Sequence, residues 1–379
     1  MAGAVGGGTS ALVEAVKNGA DAGRILEVLS EAPDTASVPD EHGRLALHYA
    51  AARHASCEVV SALLDAHGQG SSRADEVGRV PLHYAAAQGA REEVVAALLR
   101  AYPQAVATQD DCKSLPLHLA LENRASNEVV MAILNENPNA ASHKDEDSNL
   151  PLHYAAAQQA SAEVVVALLV AHKDGAGFLG EGNMLPLQLA VVSDANVEVV
   201  KALLTVFPSA VSYQDAVGRL PLHRAVAGNA NEAVVRALIE AQPQATGHVD
   251  EHNRVPLHLA AMHEAGEDVV RALLDAAPNS VGYKDRQGRL PLHYAAGKLA
   301  GAQVVRALLD EGVQSASQAD NNGRLPLHHA VASCHCDTAV VSALLEAHPQ
   351  AVDHCHVKGM RPRQVAEAAG VAPEVISLL

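Results

Sequence analysis

Histidines recur at a fixed interval and are the first residues in the sequence that could do chemistry. Eight of them follow a leucine, 35 or 70 residues apart: His48, His83, His118, His153, His223, His258, His293 and His328. A row of imidazoles could hold metals or relay protons. Residues at the same place in stacked units lie about 10 Å apart, however, whereas zinc ligands lie about 2 Å from one ion. The spacing therefore predicts structural histidines that bond the backbone of neighbouring turns.

A second candidate site is a pair of short clusters near the C-terminus, Cys334-His335-Cys336 and His354-Cys355-His356. By residue type they are the best metal ligands in the sequence. A predicted helix of about ten residues between them would carry the chain roughly 15 Å, so the clusters should face apart. Neither has the spacing of a zinc finger. We expect no bound metal; the alternative, a metalloenzyme, would require zinc in the purified protein.

Motifs of the common enzyme classes are missing from the sequence. It has no Gly-rich phosphate loop, no nucleophile elbow and no His-Glu-x-x-His. Carboxylates are plentiful, but the repeat spaces them too widely for paired acid and base catalysis. The sequence therefore predicts a protein that is not an enzyme and has no cofactor.

The elements that carry these histidines form one repeating pattern. The step Pro-Leu-His, or a degraded copy of it, returns every 35 residues from Ala46 to Pro326. The predicted units start near residues 9, 40, 75, 110, 145, 180, 215, 250, 285, 320 and 356. We therefore expect a single array over residues 9–379, preceded by a flexible Gly-rich stretch at residues 1–8.

One unit, residues 285–318, illustrates the local prediction. Asp285 and Gly288 are typical of a tight turn, and Pro291 suits the first turn of a helix over residues 291–298. A second helix over about 302–311 carries an apolar stripe at helical spacing. In most units a proline follows and is predicted to end the second helix.

The predicted unit of turn, helix, loop and helix, with its Pro-Leu-His-x-Ala signature, closely resembles the ankyrin repeat. The unit of that family has 33 residues and carries Thr-Pro-Leu-His-x-Ala. The resemblance implies an all-α helix-turn-helix solenoid of about eleven repeats with short hairpin-like turns. It also implies a concave face, made by turns and first helices, that holds partner proteins. Two features depart from the family: the longer unit, and a Leu or Val in place of the Thr that bonds the histidine.

Composition restricts the partners. A formal charge of −17 and few aromatic residues argue against nucleic acid. The longest apolar run, residues 164–171, is too short to cross a membrane. Five cysteines that do not recur with the repeat indicate a reducing compartment. We therefore expect a monomer in the cytoplasm or nucleus that binds another protein.

Charges also follow the repeat. An arginine row precedes Leu-Pro in most units, and an aspartate lies four residues earlier in the same turn, so local Asp–Arg pairs are expected. The first five turn tips are all acidic: Glu41, Glu76, Asp111, Glu146 and Glu181. A rim of one sign favours a basic segment of the partner.

The least regular unit contains residues 173–193, where glycines replace the turn aspartate and Gln188 replaces the histidine. Two interpretations remain open, a soft joint and a drifted loop without a role. We choose the partner contacts here: Glu146, Phe178, Leu179, Glu181, Met184 and Gln188. The predicted function is a protein-interaction scaffold or adaptor. The alternative is a targeting segment of a larger enzyme or membrane protein that continues past residue 379.

Overall fold

The computed structural model describes residues 10–298, 301–332 and 336–379, and within them the chain is helical, without strands. The α-helices are α1 Ala11–Lys17, α2 Ala22–Glu31, α3 Ala46–Ala52, α4 Cys57–Ala66, α5 Pro81–Ala87, α6 Glu92–Ala101, α7 Pro116–Glu122, α8 Asn127–Glu136, α9 Pro151–Ala157, α10 Ala162–Ala171, α11 Pro186–Val192, α12 Val197–Val206, α13 Pro221–Ala227, α14 Glu232–Ala241, α15 Pro256–Met262, α16 Glu267–Ala276, α17 Pro291–Gly297, α18 Ala302–Glu311, α19 Pro326–Ala330, α20 Thr338–Ala347, α21 Pro362–Ala369 and α22 Pro373–Ile376. The predicted glycine-rich stretch at residues 1–8 lies outside the described residues.

In the described residues each unit contributes two α-helices, and each unit except the last adds a short 3₁₀ helix after its second α-helix; Glu181–Asn183 is an extra 3₁₀ helix in a turn. The 3₁₀ helices are Pro33–Ser37, Gly68–Ser72, Pro103–Ala107, Pro138–Ser142, Lys173–Gly177, Glu181–Asn183, Pro208–Ser212, Pro243–Gly247, Pro278–Gly282, Val313–Ser317 and Pro349–Asp353. The prediction that proline ends the second helix needs correction. Proline is the first residue of the 3₁₀ helix, and units with Gly68, Lys173 or Val313 at that place form the same element without it.

Both kinds of α-helix begin as the sequence predicts. Second helices are capped by side chains: the Ser56, Ser126 and Ser161 hydroxyls accept from the backbone N–H three residues later. First helices begin at proline in most units, where the missing N–H costs no hydrogen bond. These local signals account for where the helices start.

The core consists of small and branched apolar side chains. The Leu or Val before each Pro-Leu-His step is buried, as are the alanines that follow the histidine; Leu45, Val80, Leu115 and Leu150 are at most 3% exposed. Each such side chain contributes roughly 2 kcal/mol when it leaves water. Alanines on the first helices allow these helices to pack closely side by side.

The chain divides into two compact regions, residues 1–189 and 190–379. In the first region α1, α3, α5, α7 and α9 pack side by side in chain order, as do α2, α4, α6, α8 and α10. In the second region the first helices α13, α15, α17 and α19 form one such row and α12, α14, α16, α18 and α20 form another. Among the described residues, no helix is long and apolar enough to span a bilayer.

Candidate functional site

Buried histidines fix the start of each first helix. In α5, the Nδ1 atom of His83 accepts from the N–H of Val80 (3.1 Å), so Nε2 carries the proton and donates to the carbonyl of Ser114 in the next unit (3.2 Å). Seven of the eight histidines bond a carbonyl of a later turn in this way. Burial lowers the pKa of His83 to about 4. The prediction of structural imidazoles is confirmed.

An aspartate holds each regular turn, and in most of these turns it is buried. The Oδ1 atom of Asp75 accepts from the N–H groups of Val77 (3.1 Å) and Arg79 (2.9 Å), while Oδ2 accepts from the Tyr84 hydroxyl (2.5 Å). Burial alone would raise the pKa of Asp75, but the hydrogen bonds from Tyr84, Arg79 and Arg44 outweigh it and lower the pKa. The carboxylate is therefore ionised and structural.

The tyrosine that donates to this aspartate is a contact that the sequence analysis missed, although its spacing was a usable signal. A tyrosine lies nine residues after the turn aspartate in four units, and each hydroxyl reaches Oδ2: Tyr49 to Asp40, Tyr84 to Asp75, Tyr154 to Asp145 and Tyr294 to Asp285. Where a leucine stands instead, arginine supplies the donor, from Arg79 to Asp110 and from Arg254 to Asp250. A side-chain donor thus accompanies each of these carboxylates.

The predicted local Asp–Arg pairs are only partly correct. Arg254 and Arg289 pair with the aspartate of their own turn. Arg44 and Arg79 instead reach the aspartate of the next unit, Asp75 (3.2 Å) and Asp110 (3.0 Å). These two arginines therefore connect neighbouring units.

Backbone hydrogen bonds align the turn tips. In the first region the N–H of Glu76 donates to the carbonyl of His42, that of Asp111 to Val77 and that of Glu146 to Cys112, all at 2.9–3.0 Å. The acidic residues of these tips are exposed, as are Glu41 and Glu181. We call Glu41, Glu76, Asp111, Glu146 and Glu181 the tip row.

The last turn of the tip row is built differently. The Glu181 N–H donates to the Asn149 side-chain oxygen (3.0 Å) instead of to a tip carbonyl. Gly180 stands where the other turns have aspartate, and a Cβ there would collide with Asn149 Oδ1 and lie 2.7 Å from His153 Cδ2. The irregularity that the sequence shows at Gly180 is therefore a close approach that only glycine permits.

The structure places the six predicted contact residues in two environments. Glu146 and Glu181 are exposed, and Phe178, Leu179 and Met184 are half-buried. Gln188 is 0% exposed, and its Oε1 atom accepts from the Leu185 N–H (2.9 Å), as a histidine Nδ1 does elsewhere. A direct contact between a partner and Gln188 is incompatible with this burial, because the side chain replaces a structural imidazole.

Phe178 is not a bare apolar anchor. The ammonium of Lys144 lies 3.6 Å from the centroid of its ring, a cation–π contact. The Phe178 carbonyl accepts from His153 (3.0 Å), which fixes the backbone beneath the ring. A partner at this place meets an aromatic ring covered by a cation, with Glu146 and Glu181 on the adjoining tips.

The C-terminal cysteines and histidines are engaged in other contacts. Cys334 and His335 lie outside the described residues, and among those described no group of three or more His, Cys, Asp or Glu side chains could hold a metal. His354 Nε2 bonds the Gly323 carbonyl (3.0 Å) and His356 Nδ1 accepts from the Lys358 N–H (3.0 Å). Burial raises the pKa of Cys336 to about 11, so this thiol stays protonated.

Comparison with known proteins identifies the repeats. A family model described as ankyrin repeats (3 copies) matches residues 12–110, 82–178, 117–215, 187–281 and 277–354. The chain is similar to the ankyrin repeat domain of Bcl-3, a unique member of the IkappaB protein family, with 23% identity and a TM-score of 0.50 over 62% of this chain and 99% of that one. It is also similar to the human ASB11 ankyrin repeat domain, with 22% identity and a TM-score of 0.52 over 61% of this chain and 97% of that one. A search of curated protein sequences finds no match. At these identities the two structures show the fold alone.

Proposed function

Because the chain belongs to the ankyrin repeat family, whose domains are generally protein-interaction modules, we propose that it is a non-catalytic scaffold or adaptor that binds another protein. The binding face consists of the turn tips and first helices of residues 40–189, the part that the family resemblance equates with the concave face. The tip row is the observation that carries this proposal, since five exposed carboxylates follow one another on consecutive turns.

Charge indicates the kind of partner. The carboxylates nearest the tip row, Asp75 and Asp110, are bound by arginines, whereas the tip carboxylates reach solvent. Glu41 and Glu76 lie 3.7 and 3.6 Å from the ring nitrogens of His42, and both stay exposed. A row of exposed acids on a surface attracts a segment rich in Lys or Arg and increases its rate of association. The partner segment is therefore basic, and binding weakens as salt is added because exposed charges are screened.

The contact at the end of the row involves the irregular turn. Phe178, Leu179 and Met184 lie beside Glu181 in the chain and supply apolar surface next to an acid. A bound segment displaces Lys144 from the Phe178 ring and places one of its own cations or apolar groups there. This end of the surface gives specificity, while the tips give attraction.

A matched pair of variants tests this part of the surface. Phe178→Ala with Glu181→Lys removes the ring and reverses one tip charge. The control, Phe207→Ala with Glu198→Lys, makes the same chemical changes away from the turn tips. Glu198 lies in the first turn of α12, and Phe207 directly follows this helix. Quantitative affinity capture should show partners lost with the first variant and kept with the second. Capture that is unchanged by the first variant would place the site elsewhere.

A further inference from the structure

A hollow of about 520 Å³ lies between α3 and α5. Arg44, Arg53, His54, Tyr49, Tyr84 and Gln88 contribute to its lining, and no carboxylate does. This is unusual for a chain with a formal charge of −17. The composition of the lining favours an anion over a cation as its occupant.

The carboxylates nearest to this lining are already bound. Asp40 accepts from the Tyr49 hydroxyl (2.6 Å), and Asp75 accepts from the Tyr84 hydroxyl and from Arg44 Nε (3.2 Å). The side chain of Asp75 is only 1% exposed. The hydrogen bonds therefore hold both carboxylates in the turns, where Asp75 is paired with Arg44 but neither carboxylate is paired with Arg53.

Positive charge, in contrast, remains available there. The side chain of Arg53 is exposed and makes no hydrogen bond, ion pair or ring contact with any residue that the structure describes. The guanidinium of Arg44 lies over the Tyr84 ring, 5.4 Å from its centroid, which fixes its plane. The Lys17 ammonium, 5.8 Å from the centroid of Tyr49, adds a third cation at the edge.

An arginine at the repeat position of Arg44 together with one at the position of Arg53 occurs once in residues 40–189. The place of Arg53 is taken in the next units by Gln88, Asn123 and Gln158. The place of Arg44 is taken by Arg79, then by Ser114 and Asn149. Two arginines around one hollow therefore do not follow from the repeat itself, and among the described residues no hydrogen bond or ion pair of the Arg53 side chain accounts for the second one.

We propose that the hollow between α3 and α5 binds a carboxylate side chain of the partner protein. Arginine offers two parallel N–H donors that match a carboxylate, and the tyrosine rings supply an apolar wall. Asp75 is paired with Arg44, so Arg53 is the one unpaired cation among the described residues of the lining, and Lys17 lies only at the edge; this suits a monoanionic carboxylate better than a dianionic phosphate. The inference rests on the proposed function for the source of the ligand: the partner segment is basic over the tip row and acidic at this hollow.

A short peptide tests the hollow without the partner. The probe is trifluoroacetyl-Gly-Glu-Gly-amide, whose binding to the full chain is followed by the ¹⁹F line width. Arg53→Gln should weaken binding about threefold to fivefold, the upper part of the range of an exposed arginine–carboxylate pair. Arg73→Gln makes the same charge change at an exposed arginine outside the hollow and should leave the affinity unchanged. Since the Arg53 side chain is exposed and makes no hydrogen bond or ion pair within the described part of the chain, its replacement should not unfold the protein.

Two further probes define the ligand. The same peptide with Gln in place of Glu should not bind, and the one with phosphoserine should bind no more tightly than the Glu peptide. Equal affinities for wild type and Arg53→Gln, binding of the Gln peptide, or no binding of the Glu peptide to wild type would each overturn the site. A tenfold preference for phosphoserine would overturn the assignment to a carboxylate. None of these results depends on the tip row, so the proposed function can fail separately.

Discussion

The buried histidines make stability depend on pH in a way that one substitution can isolate. His83 is 0% exposed, and burial lowers its pKa to about 4, against about 6.5 in an unfolded chain. Below pH 6.5 the unfolded state therefore binds the proton and the folded state does not. The free energy of unfolding must therefore fall as pH decreases from about 6.5 towards 4. Above pH 6.5 the histidine is neutral in both states, and its titration no longer changes stability.

The size of the effect follows from the two pKa values. At pH 5.5, protonation of one such histidine in the unfolded state lowers the free energy of unfolding by about 1.4 kcal/mol relative to pH 7.5. His83→Gln removes this titration. The chain itself shows that glutamine can occupy the position, since Gln188 keeps the hydrogen bond to the helix start. The variant loses the bond from Nε2 to Ser114 and leaves a buried amide Nε2 without a partner, as at Gln188, which together cost about 1–2 kcal/mol at pH 7.5.

The assay is urea denaturation followed by circular dichroism at pH 7.5 and 5.5. We expect His83→Gln to be less stable than wild type at pH 7.5 and about equally stable at pH 5.5. His54→Gln removes an exposed imidazole and serves as the control, with the pH dependence of wild type. If wild type and His83→Gln lose the same stability between the two pH values, the imidazole is not held neutral in the fold and the reasoning is refuted.

Two further changes test the turns. Asp75→Ala should lower the free energy of unfolding by about 3 kcal/mol or more, because it removes four hydrogen bonds and leaves Arg44 and Tyr84 without their acceptor. In the same urea assay, Asp40→Ala should lower it by less. Equal losses would contradict the connection between units. Gly180→Ala should lower the free energy of unfolding by about 1–3 kcal/mol, since the added Cβ meets Asn149 and His153. Gly68→Ala is the control, because nothing lies within 4 Å of a Cβ added there. Equal melting temperatures of the two variants would show that the close approach is absent.

Much of the fold could be predicted from the sequence because its signals are local. Ser56 and Ser161 mark the starts of helices, and the fixed interval between histidines excludes a shared metal. Contacts between units could not be predicted in the same way. Whether Arg44 reaches Asp40 or Asp75 depends on how the turns stack, and both partners are present in the sequence at plausible places.

The candidate site was harder to predict than the fold. Gln188 departs from the repeat and so attracted a functional interpretation, yet its amide occupies the buried place of the imidazole. Phe178 was chosen as an apolar side chain on a loop, and its cation–π contact with Lys144 is not visible from the sequence because the two residues are 34 positions apart. The hollow between α3 and α5 depends on the directions of Tyr49 and Tyr84, which only the structure gives.

The tip row is tested most directly by removal of its charge. The variant carries Glu to Gln at residues 41, 76, 146 and 181, and the control carries the same four changes at residues 58, 93, 128 and 163, which are exposed near the starts of the second helices. Quantitative affinity capture at low salt compares the proteins that each retains. The proposed function predicts that proteins retained by wild type are retained by the control and lost from the tip-row variant. Equal retention by both variants would contradict it.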